Sequence, residues 1–323
     1  MTYGRVRDGD LKREDNGAVV SHSAELVRGK FCRSERPLIR PSATFSPRGE
    51  GLCRARTETL MPPTVQGLLI AFAVLFVAFR LIELFRPKEK RLALFRRGFW
   101  TDLTYWAFTP LVTRVITRTC VIVAIVPVAL LIYGKVDKDL LLSGFGPASR
   151  LPLWLQAVLI LALGDFVGYW THRWFHGRRM WRFHAVHHSS VDLDWLSAVR
   201  LHPVNDALMR VAGTLPILAF GFSPVAVAGI APVLTLMAIV VHANVDWDWG
   251  PLRAVITSPC FHRWHHTDEA HARDKNFAGL LPLWDILFGT YYMPRDRSPQ
   301  SFGTSTPVPA SLIGQMVFPF RRS

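Results

Sequence analysis

The sequence predicts an all-α, multi-pass transmembrane protein, and three observations lead there. Half of its 323 residues are hydrophobic, 11 of them are tryptophan, and the mean hydropathy is positive, which suits a membrane chain better than a soluble domain. Apolar runs long enough to cross a bilayer recur along it. Eleven of its 12 histidines lie between His172 and His271. Most of these fall in three clusters: His172-Arg-Trp-Phe-His176, His184-Ala-Val-His187-His188 and His262-Arg-Trp-His265-His266.

Residues 1–60 stand apart, with 12 Lys+Arg, 8 Asp+Glu and no apolar run able to build a core. They are expected to be a disordered N-terminal extension. They do not read as a signal peptide, because no hydrophobic stretch follows the early charges. Met61 is expected to be the natural start, with a membrane domain over 61–295 and a C-terminal tail over 296–323.

Residues 67–79 are wholly apolar, and the run extends to Phe85 with Arg80 and Glu83 one turn apart. Arg86, Lys88, Lys90, Arg91, Arg96 and Arg97 follow at once, interrupted only by Glu89. Positive charge at this density beside a span marks the cytoplasmic side. The net charge of +14 has the same origin, together with attraction to anionic headgroups. No nucleic-acid partner is expected, since the basic cluster abuts a membrane segment.

The next apolar region, 103–133, is too long for one ordinary span and contains Pro110, Arg114, Arg118 and Pro127. It reads either as one long kinked helix or as a tight helical pair. A polar loop over 134–150 leads to a membrane helix over 151–170, which carries Asp165. The runs 207–220 and 225–241 flank Gly221-Phe-Ser-Pro224. The first is short for a crossing, so the two are expected to form a hairpin that dips in and returns. This layout places every histidine cluster on the cytoplasmic face.

Residues three and four apart share a helix face, so HxxxH aims two imidazoles one way, and HxxHH is expected to aim its first histidine with both of the last pair. Neutral imidazole is the commonest metal ligand and suits iron, zinc, copper and nickel. The three clusters hold eight histidines, more than one ion can use, so two metals held close together are expected. A lone histidine such as His22 carries no such signal. Asp165 stands seven residues before His172, on the same helix face. An ionisable residue at membrane depth is a functional candidate, here as a partner that orients a ligating imidazole.

The pattern Asp165…Tyr169-Trp-Thr-His-Arg173…His176, His184-Ala-Val-His-His-Ser189, His202-Pro203 and His262-Arg-Trp-His-His266 resembles the fatty acid hydroxylase/sterol desaturase superfamily. The stretch Asn276-Phe-Ala-Gly279…Trp284-Asp-Ile-Leu-Phe-Gly-Thr290 resembles the segment that closes that family's domain, and the likeness covers roughly 67–294. The resemblance implies an integral membrane, non-haem di-iron oxygenase. It would hydroxylate or desaturate a lipid C–H bond with O2 and electrons from an external donor protein. Carried over position by position, it implies His172, His176, His184, His187, His188, His262, His265 and His266 as ligands, with His202 and His242 as further ones. His271 and Asn276 are implied as partners of ligands. Where some members place another histidine one turn after His-Pro, this chain has Asp206, read as a metal carboxylate or, in preference, as a salt-bridge partner of Arg210.

Iron fits such chemistry because it is redox-active, which zinc is not. Soluble di-iron proteins use mostly carboxylates; imidazoles in their place leave the site more cationic. An apolar slot among the membrane helices would admit an acyl chain, sterol or isoprenoid from the bilayer. Trp170, Arg173, Trp174, Arg178, Arg179, Trp181, Arg182, Arg263 and Trp264 surround the boxes. They read first as an aromatic belt with positive-inside charge, and secondly as a docking surface for an acidic electron donor. Cys32, Cys53, Cys120 and Cys260 show no CxxC pair, so no zinc ribbon or iron–sulfur centre is expected. The rival from another class is a divalent-metal transporter, which would place its ligands near the bilayer midplane on broken helices.

Overall fold

The computed structural model describes residues 65–89, 93–134, 144 and 146–321. The expected extension over 1–60, the start at Met61, Lys90, Arg91, Cys32, Cys53 and most of the 134–150 loop lie outside these residues. The described chain is helical, and its only β pairings are two isolated bridges, Pro87 with Val245 and Thr267 with Phe302.

Three helices are long and apolar enough to cross a membrane: Val65–Phe85, Phe99–Tyr133 and Leu153–Phe175. The first is α1 (Val65–Phe85). Only 11% of its most apolar window is buried against protein. Exposed Leu69, Ile70, Val74 and Leu81 are therefore left for lipid to cover.

The second resolves the ambiguity over 103–133: it is one continuous 35-residue helix. It consists of α2 (Phe99–Phe108), a π turn (Thr109–Thr113) and α3 (Arg114–Tyr133). Pro110 lacks an N–H and its ring crowds the preceding turn. The wider π turn accommodates this without ending the helix. Of the two readings left open, the single long helix is the one observed.

The third is α4 (Leu153–Phe175), entered through a 3-10 turn at Pro147–Arg150. After the short α5 (Trp181–His188), a 3-10 turn at Trp195–Val199 is capped by Asp194, which accepts from the Leu196 N–H. Then come α6 (Pro203–Phe220) and α7 (Pro224–Val240). Both open with proline at the first position, where its missing N–H costs nothing. Gly221 ends α6 in the left-handed region at φ 68 and Ser223 caps α7, so three residues turn the chain back on itself. The expected hairpin is present. Short helices α8 (Pro259–His265), α9 (Leu283–Leu287) and α10 (Leu312–Val317) complete the described chain.

Helix α6 packs between α3 and α4, and α7 packs along α4. The C-terminal ends of α1, α4 and α7 and the N-terminal ends of α2 and α6 meet at one end of this bundle. That end is closed by an aromatic core in which Trp195, with no exposed surface, stacks on Phe79 at 5.4 Å and meets Trp106 at 5.2 Å. Residues 296–321 pack onto the same end, with Gln315 accepting from the buried Tyr105 hydroxyl at 2.8 Å and Phe320 against Phe183 and His202. The histidines occupy this end.

Candidate metal centre

Nine of the 12 histidines converge there. His172, His176, His184, His188 and His265 form one group, and His187, His242, His262 and His266 a second. Within each group the candidate ligand nitrogens lie within 4.8 Å of one another. The groups adjoin, with the His188 ring of the first stacked on the His266 ring of the second at 4.5 Å.

The boxes divide by helical geometry. Successive residues differ by about 100° around a helix, so positions i and i+4 nearly coincide while i+3 lies off to the other side. His172 and His176 serve the five-histidine group together. His184 and His188 join them, whereas His187 turns to the second group. In the third box His262 and His266 stay together in the four-histidine group, and His265 crosses to the first. The expectation that HxxHH aims all three rings one way is thus corrected: each such box bridges both groups.

Oxygen acceptors fix most rings from behind. The Nδ1–H of His172 reaches the Phe277 carbonyl at 2.8 Å, that of His265 the Lys275 carbonyl at 2.9 Å, and that of His176 the Asp274 carboxylate at 2.9 Å. His184 reaches the Asn205 side-chain oxygen at 2.8 Å, His187 the Arg200 carbonyl at 3.1 Å and His242 the Ala238 carbonyl at 2.7 Å. An imidazole that donates from Nδ1 presents its lone pair at Nε2, the arrangement found behind metal-bound histidines.

Those lone pairs confront one another. Nε2 of His172 lies 3.0 Å from Nε2 of His184, and Nε2 of His187 lies 3.3 Å from Nε2 of His242. In both pairs each ring has already spent its proton on an oxygen, so the contacts repel unless a cation sits between them. A proton is disfavoured: burial, with neighbouring imidazoles adding to it, holds His184, His187, His188, His262, His265 and His266 well below the usual histidine range. Burial likewise takes His242 down to about 4. Nitrogens about 2.1 Å from one ion and at right angles stand about 3.0 Å apart, which is the spacing observed. The buried Nε2 of His176 has no hydrogen-bond partner, as a ligand nitrogen should not. The residues fit two metal ions.

Three expected participants stand elsewhere. His202 joins neither group: its Nδ1 accepts from the Val204 N–H at 3.2 Å as the cap of α6, and its Nε2 meets the Met316 carbonyl at 3.2 Å. With both nitrogens occupied it has no lone pair to offer. His271 is 46% exposed and lies 3.6 Å from the Glu269 carboxylate. Asp206 accepts from the Thr117 hydroxyl at 2.6 Å and from Arg210 at 3.1 Å, so the salt bridge is formed.

Asp165 and Asn276 act on backbone rather than on imidazoles. Asp165 accepts from the Leu280 and Leu281 N–H groups, both at 2.8 Å, and from the Trp284 indole at 3.0 Å. Asn276, at φ 59, donates to the Phe261 and Tyr292 carbonyls at 2.9 and 2.7 Å. Asp285 adds bonds from the Phe277 and Ala278 N–H groups at 2.7 and 2.8 Å. Together they splint residues 276–281 and so place the Phe277 carbonyl behind His172. Asp274 and Asn205 went unforeseen. Asn205 left only a weak signal, a polar residue in the first turn of α6 beside Asp206; Asp274, in a polar loop, left none.

The geometry defines a class: a helical membrane protein with a buried cluster of imidazoles, able to hold metal, at one end of its candidate spans. The family model described as Fatty acid hydroxylase matches residues 157–290, a stretch that contains all nine converging histidines. That segment is similar to the fatty acid hydroxylase family, which is consistent with the fatty acid hydroxylase/sterol desaturase superfamily. The chain is 33% identical over 182 residues to the ornithine lipid hydroxylase OlsE of Rhizobium tropici, covering 56% of this chain and 54% of that protein. It is 33% identical over 134 residues to the alkylglycerol monooxygenase of Homo sapiens, covering 41% and 30%. It is 26% identical over 166 residues to Protein CER1-like 1 of Arabidopsis thaliana, covering 44% and 25%. The chain thus spans about half of the first relative and less than a third of the other two. No solved structure matches it.

Proposed function

We propose that this chain is a membrane-bound non-haem di-iron oxygenase that hydroxylates a C–H bond of a lipid, a fatty acyl chain, sterol or isoprenoid. The observation that carries the reading is the division of nine buried imidazoles between two adjoining groups. The names of two relatives state lipids as substrates, an ornithine lipid and alkylglycerols. Residues 61–295 form the hydroxylase domain in this reading.

Iron bound in both groups would supply the oxygen activation that no side chain can. The overall change is C–H + O2 + 2 electrons + 2 protons giving C–OH + H2O, a balance that requires two electrons from an external donor. The protein's own residues do the rest. Imidazoles held neutral by burial keep lone pairs directed inward, and their outer acceptors fix each ring's tautomer. An apolar cavity of about 680 Å³, lined by Leu159, Leu163, Phe166, Phe220, Phe222 and Trp284, runs beside α4; it would hold a hydrocarbon chain. Positioning of that kind selects which C–H reacts.

The metal end faces the cytoplasm in this reading, because Arg86, Lys88, Arg96 and Arg97 follow α1. Electrons would enter at His176. Its acceptor Asp274 is 70% exposed, and Arg178, Arg179, Arg273 and Lys275 adjoin the pair in sequence. An acidic carrier protein suits that collar.

The test is lipid mass spectrometry of cells with the wild-type gene, without it, and with His265→Ala. A lipid bearing one additional oxygen, present only with the wild type, supports hydroxylation. A new double bond in its place would assign desaturation at the same site. An unchanged lipid profile in all three would refute the reading.

A further inference from the structure

Several charged side chains are buried near the metal site without belonging to it, and most precede the matched segment 157–290. Asp102 on α2 has no exposed surface, and Arg96, Asp194, Arg200 and Glu83 are at most 5% exposed. Asp102 accepts from Arg96 Nη2 at 2.7 Å and from Arg200 Nε at 2.6 Å. Arg96 also bonds Asp194. Burying charges is costly even when they are paired, and such clusters are poor devices for stability alone.

Their contacts lead to one half of the metal centre. Arg200 is held by Asp102, by the Ser189 hydroxyl at 3.2 Å and by the Gly98 carbonyl at 3.3 Å. Its own carbonyl is the acceptor behind His187. Glu83 on α1 accepts from the Asn244 N–H at 2.8 Å and from the Trp195 N–H at 3.4 Å, which fastens the turn that carries His242. His187 and His242 both belong to the four-histidine group. The acceptors found for the five-histidine group come instead from Asn205 and from residues 274–277.

We infer that Glu83, Arg96 and Asp102 form a buried charged clamp, supplied by the first two membrane helices and the loop between them, that positions the four-histidine group through Arg200 and Asn244. They are positioning residues, since none touches a ligand nitrogen. The inference rests on the two groups being metal sites. It implies that the segment before residue 157, outside the family match, completes one half of the centre.

The experiment counts metal per folded chain in purified protein in detergent, by elemental mass spectrometry against protein concentration, with a chelator competition to give affinities. The isosteric Asp102→Asn is expected to weaken one ion by about 10–100-fold, the range for partners behind metal ligands, and to leave the other unchanged. Two backgrounds assign the loss. With His265→Ala, where the five-histidine group is already broken, adding Asp102→Asn should weaken the remaining ion by the same factor. With His262→Ala it should remove nothing further. A general loss of fold would lower both ions in every background. Gly98→Ala provides an independent variant: a Cβ there would stand 2.6 Å from Arg200 Nη2, and the residue sits at φ 82. It is read the same way if Asp102→Asn fails to fold. Wild-type protein without metal would overturn the proposed function. Wild type with two ions, and variants that retain both or lose both equally, would overturn the clamp alone.

Discussion

The two histidine groups differ in what stands behind them. The five-histidine group is fastened largely from the C-terminal side, by Asp274 and the carbonyls of Lys275 and Phe277. Asp165, Asn276 and Asp285 splint that stretch of backbone. The four-histidine group is fastened by the Arg200 and Ala238 carbonyls, with Asp102 of α2 behind the first. One group also reaches toward solvent through His176 and the exposed Asp274, whereas all members of the other are buried. A centre that reads in sequence as one set of boxes is two sites with separate supports, joined because the second and third boxes each serve both.

The largest expected effects break one group at a time. His265→Ala and His262→Ala should each lower product formation by more than about 100-fold, beyond the upper end expected for outer partners, while each retains one metal ion. Elemental analysis beside the lipid assay checks this, and loss of both ions from either variant would make the groups one cooperative site.

Asp274→Ala removes the acceptor behind His176 and should weaken the five-histidine group by about 10–100-fold. The four-histidine group should keep its affinity in a chelator titration.

The metal-free protein should lose stability in acid. Burial lowers the His242 pKa from 6.5 to about 4, so between those values the unfolded chain binds more protons than the folded one. Stability then falls as pH drops through that window and levels off above 6.5. Thermal unfolding across pH 4–8 reads this; bound metal should move the loss to lower pH. A flat profile would mean that these rings are not buried.

The smallest effect concerns the exposed edge. Arg178→Gln with Arg179→Gln should slow reduction by an acidic carrier about tenfold at low salt and little at high salt. No salt dependence would leave those arginines as a membrane-interface belt.

Much of this was legible in the sequence. Apolar runs gave the spans, Gly221 to Pro224 gave the hairpin, and the histidine spacing gave a convergent histidine cluster. Three things were not. Neighbouring ligands His187 and His188 part company because adjacent residues point about 100° apart, and which way the helix α5 is rotated is a tertiary fact. Backbone carbonyls behind the rings have no residue signature at all. His202 looked like a ligand in the His-Pro pair, but at the start of α6 its ring accepts from the Val204 N–H and caps the helix.

The most direct measurement is the iron content of anaerobically purified protein, followed by activity after complete iron removal and after its return. Two irons per chain, catalysis lost on removal and restored with both ions, is the expected result. A single exchangeable ion, or turnover that persists without iron, would contradict a two-group centre.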